Sequence, residues 1–181
     1  MHTGNSLPFQ DLADRHRGLT EATAAYMEEA ARVCLDRHHE SPTQFTIKDG
    51  GVAADAIVEW ETTDERTRAA HANEIDATEG GAYACAIAST ELVRGLFALR
   101  RAETLTGADY YLAPEGTEPT DLEGCLRLEV SGSDRATPAQ LSARLVQKLA
   151  QAKRGESNLP AIAAVVGFQS KSILIGDVAA E

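Results

Sequence analysis

Ala161-Ile-Ala-Ala-Val-Val-Gly-Phe168 is a near-continuous apolar run of strand length. A strand with no polar side has to be covered on both faces, so the chain needs a sheet with helices flanking it. The residues before this run supply one such helix. Thr137-Pro-Ala-Gln140 reads as a cap residue, a first-position proline and a capping-box glutamine. Leu141, Leu145, Leu149 and Ala152 then fall on one face, and Gly155 ends the helix. Gln140, Arg144, Gln147 and Gln151 form a polar line on another face, with Lys148 beside the packed side. After the run, Ser172-Ile-Leu-Ile-Gly176 reads as a more exposed neighbouring strand.

Upstream lie three more strands. Leu96–Ala102 leads through a tight turn at Thr104–Gly107 into Ala108–Leu112, and Leu126–Ser131 follows an acidic, proline-containing loop over 114–121. Alternation places Arg127, Glu129 and Ser131 on one face and Leu126, Leu128 and Val130 on the other. The apolar face belongs to the core, so Glu129 looks towards solvent, a cleft or a covering helix. Asp109 and Tyr111 share a face of the preceding strand. A helix precedes these strands, with Asp76-Ala-Thr-Glu79 as its expected capping box and Gly95 as its stop. Glu79 either serves that cap or points over the sheet towards Asp109.

The N-terminal part reads as an extension of this core. Residues 1–18 are expected to be a flexible or loosely docked arm. Thr20 caps a helix running to about His38, whose Tyr26, Met27, Ala30, Ala31, Val33 and Cys34 make a packing stripe. Phe45–Lys48 and Ala56–Trp60 flank the Asp49-Gly50-Gly51 turn as a β-hairpin on the edge of a larger sheet. His38-His39 is a favourable helix-end charge placement rather than a metal site, and His71 is expected on the surface. The expected fold is therefore α/β (α+β): a single domain over 19–181 with a core at about 76–170.

Charge restricts the partners. The net charge is −11, and residues 1–92 carry 7 Lys/Arg against 17 Asp/Glu, whereas residues 93–157 carry 9 of each. An acidic surface repels phosphate, so weak non-specific nucleic-acid binding and a basic or nucleic-acid-presenting protein partner are expected. Three widely spaced cysteines without a Cys-x-x-Cys pair argue against a disulfide framework or a zinc site. With no visible secretory signal and no membrane-length apolar run, the expected location is the cytoplasm.

From residue 76 the order helix, strand, strand, strand, helix, buried strand, with acids at Glu79, Asp109 and Glu129, resembles the core of the PD-(D/E)XK nuclease superfamily. The resemblance implies a restriction-endonuclease-like fold and Mg²⁺-dependent (or Mn²⁺-dependent) cleavage of DNA phosphodiesters. It implies Asp109 and Glu129 as catalytic acids. Glu79, Asp109, Glu129 and the Val130 backbone carbonyl would then be the metal ligands. The motif lysine two residues after Glu129 is replaced by Ser131, which supplies a hydroxyl and no charge. Lys148 or Gln147 on the following helix would fill that role. The expected function is a nuclease-like subunit of a bacterial defence or mobile-element assembly, hetero- or homo-oligomeric and not membrane-bound. Its rival is a catalytically silent adaptor of the same fold that binds a protein partner. A third possibility is an acidic protein covering a basic toxin surface.

Overall fold

The computed structural model describes residues 5–179. In chain order the elements are β1 (Asn5–Ser6), α1 (Leu12–Arg15), α2 (Glu21–Asp36), β2 (Thr43–Asp49), β3 (Val52–Val58), α3 (Glu65–Ala70) and α4 (Glu74–Arg94). They continue with β4 (Leu96–Arg101), β5 (Tyr110–Pro114), β6 (Leu126–Ser133), α5 (Pro138–Lys153), β7 (Ala161–Gly167) and β8 (Ser172–Asp177). All the strands join one sheet in the order β1-β3-β2-β8-β7-β6-β5-β4. The mixed sheet flanked by helices is the architecture the sequence called for.

β4, β5 and β6 form an antiparallel meander, and β6 then pairs in parallel with β7 from Arg127↔Ala161 to Ser133↔Gly167. A parallel pair needs a crossover, and α5 provides it. Thr137 accepts from the Gln140 amide while the Gln140 side chain accepts from the Thr137 N–H, so the capping box forms as read. Every residue of β7 is buried. On one face Leu128, Val130, Ile162, Ala164 and Val166 join the main core beneath α2 and α4. On the other, Val165 and Leu174 pack under Leu141 and Leu145 of α5. Two helical layers thus meet the demand made by the apolar run.

α2 and α4 approach closely because their contact is built from small residues. A Cβ on Gly81 would sit 2.8 Å from the Ala31 Cα, and one on Gly132 would sit 2.6 Å from the Thr78 carbonyl oxygen. These glycines are steric necessities. The first lets the helices touch, and the second lets α4 lie on β6. The αL cap at Gly95 ends α4 as expected.

Four expectations are corrected. The arm over 1–18 is not loosely docked from Asn5 onward. β1 pairs in parallel with β3, and Leu7, Phe9, Leu12 and His16 are buried; residues 1–4 lie outside the described residues. The segment shields the free edge of β4. His16 Nδ1 accepts from the Ala98 N–H (3.0 Å), His16 Nε2–H donates to Glu91 Oε2 (2.8 Å), and the Gly18 N–H donates to the Ala98 carbonyl (2.9 Å). Asp76 is not the helix cap, because Asn73 accepts from the Ile75 and Asp76 amides and starts α4 earlier. His71 is buried rather than on the surface, with Glu29 as its partner and Tyr26 against its ring. β8 is largely buried because the β2–β3 hairpin docks on it in parallel and makes it an interior strand.

Burial lowers the pKa of both His16 and His39, against the opposing pull of Glu91 on the first and of the Phe168 carbonyl on the second. The unfolded chain, whose histidines titrate near 6.5, therefore takes up these protons first as pH falls. Stability is full above that pH and is lost below it, down through the folded-state pKa. The melting temperature should drop between pH 7.5 and 5.5, and His16→Gln should flatten part of that slope; an unaltered slope contradicts this account. Gly81→Val should destabilise the fold by about 1–3 kcal/mol through overpacking, measured by urea unfolding.

Candidate functional site

The register of the meander brings the two acids together. Tyr110 pairs with Leu128 and Tyr111 with Arg127, so one step further along the ladder sets Asp109 opposite Glu129. β5 begins only at Tyr110, which frees the Asp109 side chain to act in place of a backbone group. The Asp109 N–H donates to the Leu128 carbonyl (2.7 Å), and Asp109 Oδ2 accepts from the Val130 N–H (2.8 Å). A strand residue's N–H and C=O leave on the same edge, so the Val130 carbonyl also lies beside Asp109, without a ladder partner on β5.

Glu129 faces α5, the covering helix among the three possibilities its strand position left open. It is 5% exposed. Lys148 Nζ donates to Glu129 Oε1 at 2.7 Å and to Gln151 Oε1 at 3.2 Å. Glu129 Oε2 accepts from no described residue. Burial raises the Glu129 pKa, the Lys148 hydrogen bond opposes that rise, and the charge of Asp109 adds to it. The Lys148 hydrogen bond is therefore the largest influence opposing protonation of the buried Glu129 carboxyl.

Two residues that sequence reasoning did not select complete the arrangement. Tyr83 donates its hydroxyl to Asp109 Oδ1 (2.9 Å). Its own pKa is pushed up by burial and by the Asp109 charge, so it remains a donor. The Arg101 guanidinium lies 3.3 Å from Asp109 Oδ1 and sits over both Tyr83 and Tyr110, 5.0 and 4.9 Å from the ring centroids. That stacking fixes a cation at the pocket rim. A legible signal existed for Tyr83, which stands one helical turn after Glu79. For Arg101 the signal was weaker, a charged residue at a strand end next to the turn into Asp109.

Glu79, Tyr83, Arg101, Asp109, Glu129 and Lys148 line one pocket of about 580 Å³. Of the expected site residues, Asp109, Glu129, Val130 and Lys148 are brought together. Glu79 lies on the pocket wall but is exposed and makes no hydrogen bond or ion pair among the described residues. No group of three His, Cys, Asp or Glu side chains that could hold a metal ion is found among the described residues. Gln147 is also corrected. It points into a neighbouring cleft with Arg135, Gln140 and Arg144, and Gln151 takes its expected place beside Lys148. The reason is helical periodicity, since Gln151 follows Lys148 by three residues and shares its face. Ser131 Oγ accepts from Arg144 Nη1 (3.1 Å) and contributes no charge.

The donor set that remains is two carboxylates and one backbone carbonyl. It fits a hard divalent cation of the Mg²⁺ type, which is held by one or two carboxylates and keeps several waters. Each carboxylate also has a cation of its own, Arg101 for Asp109 and Lys148 for Glu129.

No family model matches this chain, and no curated protein or solved structure matches it either. Among the described residues no helix is long and apolar enough to cross a membrane.

Removing the Lys148 charge should raise the Glu129 pKa further. In Lys148→Met, the side-chain carboxyl resonance of Glu129, followed by NMR, should titrate at a higher pH than in the wild type. An unmoved titration would mean that Lys148 does not govern the site.

Proposed function

We propose that this chain is a metal-dependent nuclease-like domain acting on DNA phosphodiesters, working as a subunit of a bacterial defence or mobile-element assembly. The observation that carries the reading is the Lys148–Glu129 hydrogen bond in the pocket that also holds Asp109. The motif position two residues after Glu129 lacks its lysine, and the covering helix delivers one to the same carboxylate. The helix, three-strand meander, helix, strand order of α4 to β7 also supports it.

Asp109, Glu129 and the Val130 carbonyl would hold Mg²⁺ or Mn²⁺, which when bound supplies Lewis acidity and a more acidic water. The remaining work falls to the chain's own groups. Tyr83 and the Val130 N–H fix the Asp109 carboxylate, one donor to each oxygen. Lys148 opposes protonation of Glu129 and, with Gln151, offers hydrogen bonds to a water entering the pocket. Glu129 Oε2, which has no donor among the described residues, is placed to accept a hydrogen bond from that water. Arg101, pinned over two tyrosines, faces a phosphate at the pocket mouth and stabilises charge that builds there. The acidic residues concentrated in 1–92 suit a basic surface on a protein partner.

One observation favours a second reading, the catalytically silent adaptor. Both carboxylates are already neutralised by internal cations, an arrangement that is stable with no ion bound. The same assay separates the two. With supercoiled DNA and Mg²⁺, Asp109→Ala and Glu129→Ala should each abolish nicking, and Lys148→Met should slow it by about 10²–10³-fold. Undiminished cleavage by the double alanine variant sinks the nuclease reading. Inactivity of the wild type in every divalent metal, together with a stoichiometric protein partner, establishes the adaptor.

A further inference from the structure

The helix that supplies Lys148 differs in charge from the rest of the chain. Between Arg135 and Arg154 there are five basic residues and no acid, in a protein with 28 acids. The inner face of α5 is spent on Leu141, Leu145 and Ala152 against the sheet. Its outer ridge of Gln140, Arg144, Gln147 and Gln151 is exposed. The spacing 140, 144, 147, 151 keeps these side chains in one line. At 1.5 Å per residue the line runs about 16 Å.

The ridge connects two clefts. Its N-terminal half lines a cleft of about 700 Å³ with Arg135, Ser133 and the carboxylates Glu74 and Asp134, and its C-terminal half reaches the Asp109–Glu129 pocket through Gln151. Arg144 is positioned between them. Its Nη1 donates to Ser131 Oγ and to the Gly132 carbonyl (2.8 Å), which anchors the guanidinium at the end of the strand that carries Glu129. Nε and Nη2 of Arg144 have no acceptor among the described residues. Arg135 is 63% exposed and engages Glu74 and Asp134 only at 3.6 and 3.4 Å, pairs that compete weakly with a ligand. The ridge itself carries one guanidinium and three amides with no carboxylate among them, donors that can take the oxygens of a polyanion.

We infer that the outer face of α5, with Arg135, is the track on which the sugar–phosphate backbone of a nucleic-acid strand lies as it enters the Asp109–Glu129 pocket. The inference deepens the phosphodiester reading and rests on it for the identity of the polyanion. The net charge of −11 does not forbid it. At physiological ionic strength the Debye length is about 8 Å, so acids beyond that distance are largely screened; Glu74 and Asp134 beside Arg135 are not, and they weaken the N-terminal end of the track. Binding is therefore local, modest and salt-sensitive.

The test is fluorescence anisotropy of a labelled 20-nucleotide DNA, single- and double-stranded, with the full chain in EDTA so that cleavage plays no part. Arg144→Glu and Gln147→Glu together should weaken binding at least tenfold and reduce the slope of log affinity against log salt by about 1. Gln147 makes no hydrogen bond among the described residues, so Gln147→Glu alone should weaken binding in the same direction. Arg66→Glu on α3 should leave it unchanged. Equal binding by wild type and the double variant overturns the track, as does an equal loss in Arg66→Glu or equal affinity for poly-glutamate of matched charge. Mg²⁺-dependent cleavage with ridge-independent binding removes the track and leaves the nuclease reading. Ridge-dependent DNA binding without cleavage in any metal does the reverse.

Discussion

Everything in this fold depends on β7 being hidden on both sides. Its seven residues carry no polar side chain, and each lies buried between β6 and β8. Covering it from below requires α2 and α4, whose close approach in turn requires glycine and alanine at their contact. Covering it from above requires α5, which must cross over because β6 and β7 are parallel. That crossover carries Lys148 to Glu129. The same burial that stabilises the sheet therefore assembles the pocket.

The pocket is an exercise in handling charge away from water. Glu129 is buried on the α5 side, and its carboxylate is tolerable there because Lys148 reaches it. Asp109 lies where β5 stops short, and it substitutes for a missing backbone acceptor opposite the Val130 N–H. Arg127, buried one residue before Leu128, binds the Leu159, Thr106 and Ala152 carbonyls. It thereby ties the turn before Asp109 to the end of α5. Together with the Glu156 N–H, which donates to the Leu105 carbonyl, that guanidinium holds the two sides of the pocket in register, and burial lowers its pKa.

The N-terminal segment serves a different need. β4 would otherwise present a free edge able to pair with another chain, and His16 and Gly18 occupy its Ala98 hydrogen-bonding groups instead. The hairpin of β2 and β3 does similar work at β8. The hairpin's place on a sheet edge was legible in the sequence, but the cover over β4 was not, because the residues involved are individually unremarkable. His16 lies in a polar stretch with no period, and its partners Glu91 and Ala98 are more than 70 residues away.

Periodicity and capping in the sequence determined the helices α2 and α5, the hairpin turn, the meander and the doubly covered β7, because these are local consequences of spacing and turn chemistry. Alternation also determined that Glu129 and Arg127 share a face. Tertiary structure alone decided what that face meets. It selected Lys148 and Gln151 over Gln147, brought in Tyr83 and Arg101, left Glu79 exposed on the wall and started α4 at Asn73. The physical reason is that side-chain convergence depends on helix rotation and strand register across the sheet. Residues 20 to 30 positions apart fix those quantities jointly, and no single stretch of the chain contains them.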